Sequence, residues 1–285
     1  MRDRLKITLL LAPALLVIGV LFFGGLGIGL ARSFNYMPII GLTEPNLDAY
    51  RKVLTSPEVY RSFALTLYIA ATSTFIASVL AVAMALLLRS HFRGRAVASF
   101  FVQLNLTIPH LVGGIGILYL FSQSGSFARI AHSFGLITKP ADFPALIFDP
   151  YATGIIATYV WKELPFITVI TLATMQTLGD DQETVARTLG ATRWQAFRYV
   201  LLPQIMPSLL SASAIVFAFT FGAYEIPALL GASSPQTLPV MAYRNFTDVD
   251  LAARPQAMAL AMLIAFISAL MIAVYTRALR AKRRF

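Results

Sequence analysis

Six long apolar stretches separated by polar ones make up most of the chain, and their bounds predict membrane-spanning helices at about residues 7–30, 63–88, 96–121, 151–178, 208–230 and 257–275. Each is close to or above the roughly 20 residues that cross a hydrocarbon core of about 30 Å. The first, Ile7 to Leu30, has no charge and follows the basic residues Arg2, Arg4 and Lys6. A secretory signal has an apolar region of only about 7 to 15 residues, so this one predicts an uncleaved helix. Gly25 and Gly29 form a small-xxx-small pair within it, suited to a helix contact. Pro109, Gly113, Gly114 and Gly116 predict a kink or close packing near the middle of the third stretch. The aromatic- and proline-bearing segments 31–62 and 122–150 predict short interfacial helices, such as Leu47 to Leu54. The fold class is all-α: a polytopic membrane protein of six transmembrane helices in a single domain, residues 1–285.

Between the fourth and fifth stretches lies a polar segment of different character, residues 179–207. From Gln182 to Leu189 its residues favour helix, Gly190 allows a turn, and Thr192 can cap a second short helix reaching Val200. Ala196, Phe197 and Val200 share one side of that helix, with Arg193 and Arg198 on others, which predicts an apolar knob with a basic rim. Such a knob fits a groove on a soluble partner. Pro203 and Pro207 disturb a regular helix and mark the approach to the next span. Gln195 and Gln204 read as positions where substitution does little.

Composition agrees with a bilayer setting, because 58% hydrophobic and 13% charged residues, with a mean hydropathy of +0.72, leave too little polar surface to cover a soluble globule of this length. The formal charge of +10 is unevenly spread. The amino-terminal tail, the turn after the second span and the 179–207 loop carry 3 Lys or Arg each and the carboxyl tail 5, against 4, 2 and 2 in the intervening, longer loops. The positive-inside rule therefore puts both termini and the 179–207 loop in the cytoplasm and makes the basic tail a topology anchor at the lipid surface rather than a nucleic-acid site. The absence of cysteine removes disulfides and thiolate chemistry.

Catalytic patterns are missing from the sequence. It has no Gly-rich loop ending in Gly-Lys-Ser/Thr for ATP, no His-Glu-x-x-His and no Gly-x-Ser-x-Gly, while His91, His110 and His132 are scattered. The chain thus reads as a transport subunit that borrows its energy. Lys162 and Glu163, near the centre of the fourth span, are costly there, at about 2.5–3.5 kcal/mol on insertion scales, and need partners or water. Neighbouring residues on a helix point about 100° apart, so each should meet a different helix or a cavity. Pro165 removes the amide that would bond the carbonyl of Trp161. Two uses fit: a structural contact between helices, including one to a second permease subunit, or a place on the solute path. Gln103, Asn105, His110, Tyr159 and Trp161 are further polar or aromatic candidates for that path. Glu225, beside Tyr224 near the end of the fifth span, reads as a gate, a binding-protein contact or an interfacial residue.

The run from Glu183 to Pro207, with Gly190-Ala191, Phe197, Leu202-Pro203 and Pro207 at these intervals, resembles the "EAA" loop of binding-protein-dependent ABC importer permeases of type I. Aligned on Leu189-Gly190-Ala191, Ala186 meets the motif's second Ala, Thr184 and Val185 take the places of its Glu and first Ala, and Glu183 stands one residue early. The run Trp161-Lys162-Glu163-Leu164-Pro165-Phe166 is similar to the spermidine/putrescine branch. The resemblance implies a bacterial inner-membrane permease that pairs with a like or identical permease and is driven by two cytoplasmic ATPases. Those partners bind the ATP and magnesium, an external binding protein delivers the solute, and this chain carries no cofactor or metal. It further implies that Glu183, Ala186, Gly190, Ala191, Arg193, Phe197, Leu202, Pro203 and Pro207 form the ATPase-coupling loop, and that the motion is alternating access. Polyamine is the first expectation for the solute, with phosphonate, ferric ion, sugar or another small polar solute as alternatives. An ion-coupled secondary transporter is the rival class.

The topology can be tested by cysteine labelling of this cysteine-free chain. An impermeant reagent outside the cell should label cysteine at Glu58, Lys139 or Arg244 and not at Arg4, Arg95, Arg193 or Arg283. Labelling at position 193 from outside contradicts the topology.

Overall fold

A computed structural model describes residues 2–179 and 181–282, and expectations placed on Arg283 and Arg284 lie outside them. Among the described residues the chain is helical, with one isolated bridge, Met37 to Leu42. The elements are α1 (Arg2–Ser33), α2 (Asp48–Thr55), α3 (Pro57–Arg89), α4 (Arg95–Thr107), α5 (His110–Phe121), α6 (Ser126–Ser133), α7 (Thr153–Leu178), α8 (Asp181–Thr188), α9 (Arg193–Ala196), α10 (Leu202–Gly222), α11 (Glu225–Leu230), α12 (Leu238–Phe246) and α13 (Arg254–Lys282). Six helical stretches in the described residues are long and apolar enough to cross a membrane.

Two compact units are present. One comprises residues 1–60 and 238–266. There, Gly29 of α1 faces the methionines of α13: a Cβ at Gly29 would lie 3.3 Å from Met262 Cε, whereas one at Gly25 would touch nothing, so only the second glycine of the expected pair marks a contact. The polar end of α1 is tied down by Ser33 Oγ and Tyr50 Oη at 2.9 Å, with Ala49 and Val53 of α2 buried beneath.

The other unit takes in the described residues within 61–237 and 267–282. Its core is a packing of α3, α7 and α10. Ala77, Ala81 and Ala85, one helical turn apart and fully enclosed, give α3 a small-residue stripe: the first two let Ile167 of α7 and Leu209, Ala212 and Val216 of α10 approach closely, and Ala85 packs against Met175, Leu201 and Ile205. Ser78 Oγ and Ser213 Oγ, 2.7 Å apart, join α3 to α10. The 122–150 segment holds α6 and a turn in which Asp142 accepts from the Thr138 hydroxyl and amide and the Lys139 amide. The Thr138 hydroxyl first, then those amides, hold its carboxyl below the usual carboxylate range.

Two expected spans differ from the apolar pattern. The 96–121 stretch is two helices, α4 and α5, separated at Ile108 and Pro109. Proline forces its predecessor out of the helical region, and Ile108 accordingly lies at φ −77°, ψ 124°. The stretch 208–230 is likewise interrupted: α10 ends at Gly222, and α11 begins at Glu225 ahead of Pro227. Both interruptions put chain breaks beside α7, where polar groups collect.

Enlarging the alanine stripe should cost stability. Ala81→Leu should destabilise the fold by about 1–3 kcal/mol through overpacking, read as a lower thermal midpoint of the purified protein. Ala83→Leu, on the exposed side of the same helix, should stay within about 0.5 kcal/mol. Equal effects of the two would contradict this packing.

Candidate transport and coupling sites

Burial of Lys162 and Glu163, at 3% and 7% exposure, means that protein groups must satisfy them. They meet different helices. The Lys162 ammonium donates to the carbonyl of Asn105 at 2.6 Å, the carbonyl of Ile108 at 2.6 Å and Asn105 Oδ1 at 3.1 Å. It thereby caps the carboxyl end of α4, where carbonyls lose their helical partners and the helix dipole is negative. Asn105 Nδ2 in turn donates to the carbonyl of Trp161 at 2.7 Å, the group that Pro165 leaves without an amide. Glu163 lies at the opposite pole of the break, with Oε1 2.9 Å from Nε2 of His110, the first residue of α5. A carboxylate at a helix amino terminus again matches the dipole.

Asn105, Trp161, Lys162 and Glu163 therefore form a clamp around the break between α4 and α5. The half-exposed Trp161 ring seats one side of the clamp: a Cβ at Gly113 would lie 2.8 Å from it. Tyr224 and Glu225 are elsewhere, on the wall of a cavity of about 520 Å³ that Pro109, His110, Tyr159 and Phe219 also line. His110 belongs to both groups, and its ring lies 5.0 Å from that of Phe219. Of the other path candidates, Tyr159 lines the cavity, whereas Gln103 donates to Ser99 on an exposed part of α4. Phe219 was not singled out in the sequence because nothing local distinguishes it from other apolar residues of its span.

In the 179–207 segment, Gly190 has φ +95°, a left-handed conformation that side chains penalise. Its amide bonds the carbonyl of Arg187 and that of Ala191 the carbonyl of Ala186, the paired bonds of a Schellman stop to α8. Two residues later Thr192 caps α9 in a reciprocal box: Thr192 Oγ1 accepts from the Gln195 amide, and the Gln195 side chain accepts from the Thr192 amide. With four residues between them, stop and restart make a tight corner.

After the corner the chain does not form an isolated second helix. α9 continues through a π-helical turn, Phe197–Leu201, straight into α10. The wider turn lets Pro203 enter at the start of the α10 register, where its missing amide costs little, and Pro207 lies inside α10. From Arg193 onward the segment and the fifth span are consequently one continuous helical run. Glu183 pairs with Arg89 at the end of α3, and Arg89 also donates to the carbonyl of Gly179 at 2.8 Å, so the early acid ties the segment to the bundle.

Two expectations about surfaces are corrected. Ala196 is 2% exposed, and Phe197 is half-buried against the cluster of Ala85, Met175, Leu201 and Ile205, so that face turns inward instead of forming an outer knob. The apolar groups left outside are Val185, Leu189, Trp194 and Tyr199, with Leu189 84% exposed. Gln195 and Gln204 are not inert either: the first completes the capping box, and the second donates to Gln182 Oε1 at 2.7 Å and to the Val200 carbonyl at 2.8 Å. Intervals in sequence show which residues share a side, but not which side the bundle occupies.

Residues 73–284 match the family described as binding-protein-dependent transport system inner membrane component. The molybdenum transport system permease of Mycobacterium tuberculosis is 30% identical over 246 residues, covering 84% of this chain and 87% of the relative. The sulfate transport system permease of Escherichia coli is 26% identical over 235 residues, covering 82% and 81%. A bacterial ABC transporter involved in the import of the acidic polysaccharide alginate has a chain of the same fold, with a TM-score of 0.80 at 19% identity and coverage of 98% and 96%. With more than half of its length matched, this chain belongs to the family of inner-membrane permease subunits of binding-protein-dependent ABC importers.

Proposed function

We propose that the chain moves its solute by alternating access, powered by a pair of cytoplasmic ATPases that engage the 181–201 corner, with a second permease beside it and an external binding protein delivering the solute. The observation that carries this reading is the unbroken helical run from α9 through the π-turn into α10, which joins the corner to Phe219 on the cavity wall. Support for the partners comes from a solved alginate transporter in complex with a periplasmic protein, a chain of the same fold. The docking surface on this side is the exposed set Val185, Leu189 and Trp194, rimmed by Arg193 and Arg198. Gly190 sets its shape through the turn and Phe197 by packing inward.

For the solute we favour a cation of the polyamine class. Glu225 and the rings of Tyr159, Tyr224 and Phe219 line the cavity, while no Lys or Arg does, a composition suited to ammonium groups. The second reading is an oxyanion, favoured by the molybdenum and sulfate permeases among the relatives.

Truncating an interface anchor commonly costs about 2 kcal/mol or more, roughly thirtyfold in affinity. Trp194→Ala and Leu189→Asp should therefore weaken co-purification of the ATPase by about that factor while the protein remains inserted. Retention of full ATPase binding by both removes this surface from the interface. In vesicles with the assembled transporter, Glu225→Gln should lower putrescine or spermidine uptake by roughly tenfold without altering ATPase binding. Uptake of molybdate or sulfate instead, indifferent to Glu225, decides for the oxyanion.

A further inference from the structure

The clamp around the Ile108–Pro109 break has two unlike halves. On the α4 side every member is enclosed: Lys162 is 3% and Asn105 7% exposed, and the contact is built from four hydrogen bonds, three from the ammonium and one from Asn105 Nδ2. On the α5 side one hydrogen bond to α7 is seen among the described residues, His110 to Glu163, and His110 keeps a third of its side chain exposed on the cavity wall. Just beyond it, α5 is packed through glycines: a Cβ at Gly113 would collide with Trp161, and one at Gly114 would lie 2.7 Å from Ile226 of α11, the helix that carries Glu225. These two glycines let side chains of α7 and α11 lie directly against the α5 backbone, so α5 has no side chain of its own interlocked at either position. The extended residue Ile108 and Pro109 supply the joint at which α5 can turn relative to α4.

We propose that Lys162 holds α4 to α7 throughout the transport cycle, whereas His110 and Glu163 are a positioning pair whose contact opens and closes with each turnover, releasing α5 to swing at Ile108–Pro109. An occupant of the cavity touches His110 directly, so loading and release of the pair are linked. Opening leaves the Glu163 carboxylate buried without its partner, which makes the open arrangement short-lived and returns α5 to its seat. The inference rests on the importer reading and adds to it the element that moves and the contact that restrains it.

The test uses the assembled transporter in proteoliposomes. In the cysteine-free background, His110→Cys with Glu163→Cys is bridged by a short, reducible bis-methanethiosulfonate reagent. Bridging should leave the ATPase bound, lower uptake by roughly tenfold or more, and be reversed by reductant. Full uptake by the bridged protein overturns the proposal. A measurement without cysteines guards against a variant that misfolds. His110→Gln and Glu163→Gln, which retain a neutral hydrogen bond, should raise solute-independent ATP hydrolysis several-fold at an unchanged thermal midpoint. Lys162→Met should instead lower the thermal midpoint and folded yield. If His110→Gln and Glu163→Gln change neither hydrolysis nor uptake, the pair is no latch. Failure of the unmodified transporter to couple uptake to ATP defeats the importer reading, and this inference with it; failure of the variants alone defeats only the inference.

Discussion

A hydrocarbon core offers no water to an unpaired peptide group, so a helix that ends beside a membrane span needs replacements for the hydrogen bonds its last carbonyls lose. Here the replacement is the ammonium of Lys162. Its three donated bonds, at about 1.5–3 kcal/mol each for charged donors, outweigh the roughly 2.5–3.5 kcal/mol that insertion of a lysine costs. A neutral amine has only two N–H groups and could not make all three. Pro109 imposes the break, and that one cation is what satisfies the carbonyls it exposes at Asn105 and Ile108. Asn105 completes the account by serving two breaks at once, taking the ammonium of Lys162 and giving its amide to the carbonyl that Pro165 orphans.

In the 179–207 segment the same logic of helix termini builds a corner. Gly190 stops one helix through paired backbone bonds, the Thr192 box starts the next, and a π-turn carries that helix past Pro203 into the fifth span. The corner is stiff because its end groups are satisfied locally. It is continuous with α10, so that Trp194 and Phe219 lie on one uninterrupted helical path.

Much of this was legible in the sequence, and for physical reasons. Spans announce themselves by length and hydropathy, and caps by Thr192 and Gly190. The orphaned Trp161 carbonyl follows from Pro165 alone, as does the divergence of Lys162 and Glu163 from the geometry of adjacent helical residues. What stayed hidden depended on long-range partners. Nothing near Lys162 says that it ends a helix some 57 positions earlier, and intervals around Phe197 do not reveal that the bundle, not the solvent, lies on its side. The alanine stripe of α3 is invisible in a stretch where alanine is simply one more apolar residue. Glu183 looked like a displaced motif acid and proves to be a tie to Arg89.

The central claim is that external solute moves through this chain at the expense of ATP hydrolysed by a docked partner. The most direct measurement is solute uptake into proteoliposomes that contain the assembled transporter, with ATP and magnesium enclosed on the ATPase side and the solute-loaded binding protein on the other. The account predicts uptake only when ATP and the binding protein are both present, unaffected by collapse of proton and sodium gradients. Uptake that proceeds without ATP and follows an ion gradient would contradict it.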